Sequence, residues 1–404
     1  MGLRHLTLGE TVVPGFDAAH AAQTERYPGS AGAWQPVHTV YVPADRFGHL
    51  TVREWGDEAL ALLERHLPDE AAVASVFGPM PAAQAADVRR RVARKLVREP
   101  IEDLRIDFED GYGTRTGREE DRHADSAARS IALMDHLGTL PRRWGPRVKS
   151  FADGDPARSI RTLDMFLTGV VQRRGRLPDG FTVTFPKVLM EEYLGQFASV
   201  LSSLEEGLGL VSGTLRFEMQ VEAPQTVMFL TRSANLVPLL GGRLAAAHFG
   251  VFDYTAACGL PPAEQRLDHP VCDHAREVMR VALAGTGVEL SDGSLAASPA
   301  SDATADVHRL WRAHAAMVRH SLRHGFYQGW DMHPSHLAAR YATVYAFHLA
   351  TRDAYAERVR AWEERRAAAG GVMDEPATVK TLSAALHRAA LALDGTEALS
   401  ADDR

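Results

Sequence analysis

Short apolar runs that end in charged residues recur along this chain, and stretches of helical periodicity separate them. Five stand out: LRIDFEDGYG from Leu104, PRVKS from Pro146, FTVTFPK from Phe181, LRFEMQVE from Leu215 and AAHFGVFD from Ala246. HTVYVPADR from His38 reads as a strand before them, GVELSDG from Gly287 as a weaker seventh and FYQGWDMHP from Phe326 as an eighth. Apolar positions three and four apart predict helices in REWGDEALALLERHL, AAQAADVRRRVARKLVRE, EEDRHADSAARSIALMDHL, PARSIRTLDMFLTGVV and EEYLGQFASVLSSLEEGL, and from about Asp306 to Arg323. AVASVFG, between the first two of these, reads as an extra strand. Alternation of strand and helix is the signature of a parallel sheet, and strands finishing in Asp, Glu, Arg or Lys are what a (β/α)8 barrel places at its catalytic mouth. The expected fold is α/β, a (β/α)8 TIM barrel with a C-terminal helical extension.

The boundaries follow from the same pattern. Residues 1–36 are mixed in character, with Gly29, Gly32 and Pro36 marking a loop, and form an N-terminal extension. The barrel is expected over residues 37–345. Residues 346–404 form a helical lid or oligomerisation segment, with a break at AAAGGVMDEP before VKTLSAALHRAALAL. That tail is too apolar and too periodic to be disordered, so it should pack on the barrel or on a neighbouring subunit.

Composition narrows the functional classes. With 404 residues, 45% hydrophobic and 24% charged, the chain has the make-up of a soluble globular protein. A net charge of -7, with no segment that concentrates Lys and Arg among aromatics, argues against nucleic-acid binding. Cys258 and Cys272 alone cannot build a disulfide framework or a Cys-rich zinc site. No apolar run approaches the length of a transmembrane helix and the N-terminus has no secretory pattern, so a cytoplasmic protein with no membrane partner is expected.

The candidate chemistry sits at the strand ends. Side chains alternate across a strand, so Glu218, Gln220 and Glu222 share one face of LRFEMQVE and should point into the barrel. Buried polar groups there must bind water, a metal or one another. Asp253, read as the end of the next strand, would stand one step around the mouth from Glu222, and Gly250 would permit close backbone approach. Two such carboxylates suit Mg2+, which prefers oxygen ligands and takes one or two carboxylates plus water or substrate oxygens. Capping of the following helix is the alternative role for Asp253. Arg147 and Lys149 share a face of the third strand; Arg147 can grip a carboxylate or enolate oxygen, or pair with the acidic cluster Asp107, Glu109 and Asp110. That cluster could equally cap a helix or bind loop amides. Lys187 opens a different chemistry, a Schiff base with a keto acid. His320, His324, His333 and His336 imitate metal-ligand spacing without any cysteine among them, His248 reads as a core or rim residue, and Cys258 reads as buried.

These motifs, in this order from about Val40 to Asp394, resemble the citrate lyase beta-subunit-like family, which shares a phosphoenolpyruvate/pyruvate-type barrel superfamily with malyl-CoA lyases and metal-dependent hydroxy-acid aldolases. VYVPADR is similar to that family's opening strand, IDFEDGYG to its acidic motif, PRVK to its arginine motif and FPK to its lysine motif. QVEAP and HFGVFD are similar to its metal-binding glutamate and aspartate motifs, GWDMHPSHL to its eighth-strand motif and GGVMDEP to its late segment. The resemblance implies that Glu222 and Asp253 hold Mg2+, with Mn2+ as the alternative, and that Arg147 binds an acyl oxygen with Asp107 and Lys187 contributing to substrate binding. Glu109 and Asp110 would support catalysis, and Asp374 would act as acid/base in the site of an adjacent subunit of a homotrimer or hexamer. Lys149, where many relatives have Asn, and roughly forty extra residues between the first two strand motifs are departures near the mouth. The implied activity is carbon-carbon lysis or aldol chemistry on a hydroxy acid or its coenzyme A thioester, through a metal-stabilised enolate, with release of a small oxo acid. Two rivals stand beside it: a thioester hydrolase or malate synthase-like condensing enzyme, and a non-catalytic lyase-like binding subunit.

Overall fold

The computed structural model describes residues 13–29, 32–232, 236–364 and 374–393. Its strands are β1 (His38–Pro43), β2 (Asp103–Asp107), β3 (Arg143–Arg147), β4 (Val183–Phe185), β5 (Phe217–Val221), β6 (Leu244–Phe249), β7 (Glu289–Ser291) and β8 (Gly329–Asp331). All pair in parallel, in the order β7-β6-β5-β4-β3-β2-β1-β8, and a bridge from Ser291 to Gln328 joins the two ends. This is a (β/α)8 barrel, with its seam between β7 and β8 reduced to a single bridge among the described residues.

The helices begin with α1 (Phe16–Arg26), α2 (Thr51–His66), α3 (Glu70–Phe77), α4 (Ala82–Arg98), α5 (Gly117–Leu137), α6 (Pro156–Arg174) and α7 (Glu192–Leu208). They continue with α8 (Pro224–Leu230), α9 (Leu236–Leu239), α10 (Val251–Ala257), α11 (Pro270–Leu283), α12 (Thr304–Arg323), α13 (Pro334–Glu363) and α14 (Pro376–Leu393). One expectation is corrected here. AVASVFG is not a strand: it lies in α3, which Asp69 caps by accepting from the Ala72 N–H, and its Val73, Val76 and Phe77 bury one helical face. The mixed N-terminal stretch holds α1, a helix with no buried residue, which is why no apolar stripe announced it. α13 runs on through residue 345, and α14 packs back against it. No helix among the described residues is long and apolar enough to cross a membrane.

Alternation sorts the barrel. Val40, Val42, Leu104, Ile106, Phe217, Met219 and Val221 join the apolar shell under the helices. The opposite faces are polar: Arg105 sends Nε and Nη2 to the two oxygens of Glu218 at 2.9 and 2.7 Å, pairs with Asp103, and donates to Thr184 at 3.0 Å. His248 lies 3.2 Å from Glu218 and accepts from Trp330 Nε1 at 3.0 Å. Glu218 and Gln220 are thus held within the barrel, Gln220 by Tyr41 Oη at 3.4 Å. At the base, Gln35 donates to the Leu290 carbonyl and to Gln328, and Arg143 pairs with Glu289.

β3 and β4 approach so closely that a Cβ on Gly145 would drive into the Thr182 carbonyl. Neither atom can move without breaking strand pairing. Gly145→Ala should therefore cost at least about 2 kcal/mol, read as a lower urea midpoint at unchanged m-value.

Candidate active site

The acidic loop after β2 is ordered by Asp107, the strand's last residue. Its Oδ1 accepts from Arg147 Nε at 2.7 Å and from the Glu109 N–H at 2.9 Å; its Oδ2 accepts from Arg147 Nη2 at 2.7 Å and the Gly111 N–H at 2.8 Å. All four acceptor positions are filled from within the chain, so the direct substrate contact expected of Asp107 has no free oxygen site. Its carboxylate instead aims Arg147 and folds the loop. Gly111 is required there, since a Cβ would come to 2.6 Å from Asp107 Oδ2. Arg147 keeps Nη1 toward the mouth, 3.3 Å from Glu109 Oε2, with its guanidinium 4.8 Å above the Tyr41 ring. Lys149 turns to the Phe108 carbonyl at 2.7 Å and lies 4.0 Å from Glu120.

Lys187 follows β4, whose Val183 and Phe185 face the helices. Strand parity would send it the same way. Its backbone instead adopts φ 48, the left-handed region that a non-glycine residue enters only at a cost of about 1–3 kcal/mol. The turn directs Nζ into the mouth, against Glu109, 2.8 Å from both oxygens of Asp110 and 3.7 Å from Asp253 Oδ2. It also aims the Lys187 N–H at Glu222 Oε1, 2.7 Å away. Burial would lower the pKa of this ammonium, but Glu109, Glu222 and Asp110 outweigh it and raise it. Carboxylate pairing favours the ammonium form, whereas a Schiff base needs the free amine.

Glu222 stands just past β5 with 3% of its surface exposed. Gly250 makes room for it: a Cβ there would lie 2.5 Å from both Cβ and Oε2 of Glu222, so the close approach expected at this glycine is present. Burial, with the nearby Glu109 and Asp253 charges, pushes the Glu222 carboxyl up to about 8 although Lys187 opposes the shift. Burial and Asp110 likewise push Glu109 up to about 7 against Arg147 and Lys187. Asp253 does not end a strand as expected: the chain turns helical at Val251, and Asp253 lies in the first turn of α10, with 45% of its side chain exposed and no capping bond. Three carboxylates therefore meet one ammonium, and a fourth, Glu222, takes the backbone N–H of the same lysine. An all-oxygen set with surplus negative charge, one member buried and driven toward protonation, fits a hard divalent cation. The groups of three His, Asp or Glu whose ligand atoms come within 4.8 Å of one another lie elsewhere among the described residues.

Other expected residues scatter. Within its own chain Asp374 pairs with Arg358, which lies 24 positions beyond Pro334 on α13, or roughly 36 Å along the helix from its start beside β8. Gly371, Val372 and Met373 of the GGVMDEP motif lie outside the described residues. The four spaced histidines divide: His333 caps α13, His336 donates from Nε2 to the Ala297 carbonyl at 2.7 Å, and His320 and His324 meet Asp273. Cys258 is exposed, contrary to expectation, because α10 ends there at the surface; Cys272 is the buried thiol. The strand motifs gave no sign of the left-handed Lys187 or of its N–H on Glu222, since a lysine after a strand carries no mark of positive φ.

A family model described as a domain of unknown function, DUF6986, matches residues 16–401, and the chain belongs to that family. No curated protein sequence matches it. Among solved structures it is similar to a citrate lyase from Burkholderia xenovorans LB400, with 17% identity and a TM-score of 0.59 over 88% of this chain and 92% of that one. It is also similar to a Haloferax volcanii malate synthase. The magnesium/glyoxylate complex aligns at 13% identity and a TM-score of 0.50, over 87% of this chain and 97% of that one. The lead(II) complex aligns at 13% and 0.52, over 88% of each. At such identity the likeness establishes the fold.

Proposed function

We propose that this chain is a divalent-metal-dependent carbon-carbon lyase or condensing enzyme acting on a hydroxy acid or its coenzyme A thioester. The observation that carries the reading is the buried Glu222, which accepts the Lys187 N–H at the C-terminal mouth of the barrel where the Lys187 ammonium meets Glu109, Asp110 and Asp253. Glu222 and Asp253 would hold Mg2+ or Mn2+. When bound, the ion supplies Lewis-acid polarisation of an oxo-acid carbonyl.

The protein's own groups then divide the work of cleavage. Glu109, whose carboxyl titrates near neutrality, takes the substrate hydroxyl proton as that carbon becomes a carbonyl. The electron pair of the breaking carbon-carbon bond passes to the acyl fragment, and Arg147 Nη1 faces the oxygen where that enolate charge gathers. The proton is returned to the enolate carbon. Lys187 and Asp110 orient the carboxylate cluster. Asp374 of a neighbouring subunit in a homotrimer or hexamer is the alternative acid/base, with residues 346–404 as lid and contact segment. Run backwards, the same steps condense the two fragments. A cytoplasmic location accompanies this reading.

Oxo-acid release from a panel of hydroxy acids and their thioesters tests it. Turnover should require Mg2+ or Mn2+, stop with EDTA and disappear in Glu222→Ala. Turnover that survives EDTA and leaves a borohydride-trapped adduct on Lys187 would sink it.

A further inference from the structure

We propose that His320, His324 and Asp273 form a second, separate site for a transition-metal ion of the Zn2+ class, bridging α11 and α12 on the outside of the barrel. His320 and His324 are one turn apart on the last turn of α12 and just beyond it, so both imidazoles leave the same face. Asp273 and Glu277 are likewise one turn apart on α11. The two pairs face each other. His320 Nε2 lies 2.7 Å and His324 Nε2 3.7 Å from the same Asp273 Oδ1, and the two rings stand 4.5 Å apart. All three ligand atoms fall within 4.8 Å of one another. Ligands on a tetrahedral zinc with bonds of about 2.0–2.1 Å stand roughly 3.3 Å apart, so small rotamer adjustments complete the set.

The surrounding groups match what a metal-bound histidine and carboxylate need. With Nε2 of His324 on the metal side, its Nδ1 lies 3.6 Å from Glu277 Oε1, and closing that gap to hydrogen-bond distance on metal binding would complete a carboxylate-histidine-metal arrangement. Arg276 Nη1 donates to Asp273 at 2.6 Å and holds that ligand in place. The side chains of His320, His324 and Asp273 are 26%, 27% and 31% exposed, which leaves a way in for the ion and a position for water as fourth ligand. Two imidazole nitrogens select zinc-like ions over Mg2+, the reverse of the all-oxygen mouth.

The location supplies a consequence. α11 and α12 precede and follow β7, where the sheet is joined to β8 by one bridge. α11 packs chiefly on α8, and α12 on α13 and α3, and this group, with Arg280 reaching the His324 carbonyl at 3.5 Å, links α11 to α12. A bound ion would staple together the two helices that flank β7.

The test uses untagged, chelator-stripped full-length protein in excess Mg2+, titrated with Co2+ and, in competition, Zn2+. One equivalent of Co2+ should bind with the visible d–d bands of a tetrahedral nitrogen-containing site. His320→Ala and His324→Ala should each weaken binding at least about tenfold, and Glu277→Gln about tenfold with both ligand imidazoles intact. Zn2+ should raise Tm in the wild type and leave Tm unchanged in the double histidine variant. Absence of stoichiometric binding in the wild type, or binding that the histidine substitutions do not weaken, would overturn the proposal and leave two imidazole–aspartate pairs.

Discussion

Glu222→Gln should lower metal-dependent turnover by at least about a thousandfold while making the metal-free protein more stable at pH 8. Glutamine keeps the volume against Gly250 and can still accept the Lys187 N–H, so the fold is preserved. The negative charge alone is lost, and with it a ligand whose contribution to polarising the substrate is worth several kcal/mol. The stability effect follows from proton linkage. In the folded protein the carboxyl is pushed up to about 8, whereas an unfolded chain releases that proton near 4.5. Between those pH values the native state holds a proton that the unfolded state has lost, so stability falls as pH rises from about 4.5 through about 8. Glu109, pushed up to about 7, adds to the fall over the lower part of that window. Carboxylates held below their usual range, Glu218 and Asp331 among them, act in the opposite sense and only below the ordinary carboxylate pKa. Thermal melts in EDTA across pH 6.5–9 should show the wild-type Tm declining more steeply than that of the variant, which keeps the Glu109 contribution, with a gap on the order of a few kcal/mol at pH 8. A cation at the mouth needs the deprotonated form, so metal affinity should rise with pH through the same range. An identical pH dependence in both proteins would show that Glu222 does not titrate there.

Arg105→Met should destabilise the protein by roughly 3–5 kcal/mol, among the largest effects of any single substitution in the barrel. The guanidinium is fully buried between Asp103 and Glu218 and binds both Glu218 oxygens. Burial alone would push the Glu218 carboxyl up; Arg105 first, then His248, draws it far down instead. Removing the arginine strands two carboxylates in the barrel's interior, where an unpaired charge costs more than the pair contributed. Adding Glu218→Gln should recover part of the loss, and chemical denaturation of the single and double variants measures the coupling. Full additivity would mean that water or another group compensates Glu218.

Most of the barrel was legible because strand alternation and helical periodicity are local. Six short runs with apolar outward faces became β1 to β6, and the weaker GVELSDG and FYQGWDMHP became β7 and β8. AVASVFG misled because seven residues rich in valine and alanine suit either period, and only the neighbouring helices settled it for α3. The inward polar face of LRFEMQVE was readable, and so was the need for glycine at 250. That Glu218 belongs to a closed network while Glu222 reaches the mouth was not, since that depends on Arg105 and Lys187 arriving from other strands.

The sequence by itself determined the period of every strong element, the parallel order of the strands and the acidic and basic residue types at their ends, because these depend on neighbours within a few positions. Only the tertiary structure decided which charges meet. Asp107 closes on Arg147, Lys187 turns through φ 48 into the carboxylates, Asp253 moves from a strand end to a helix, and His320 finds Asp273. Each of these is set by side chains brought together from distant positions, where desolvation makes an unpaired charge too costly to leave alone.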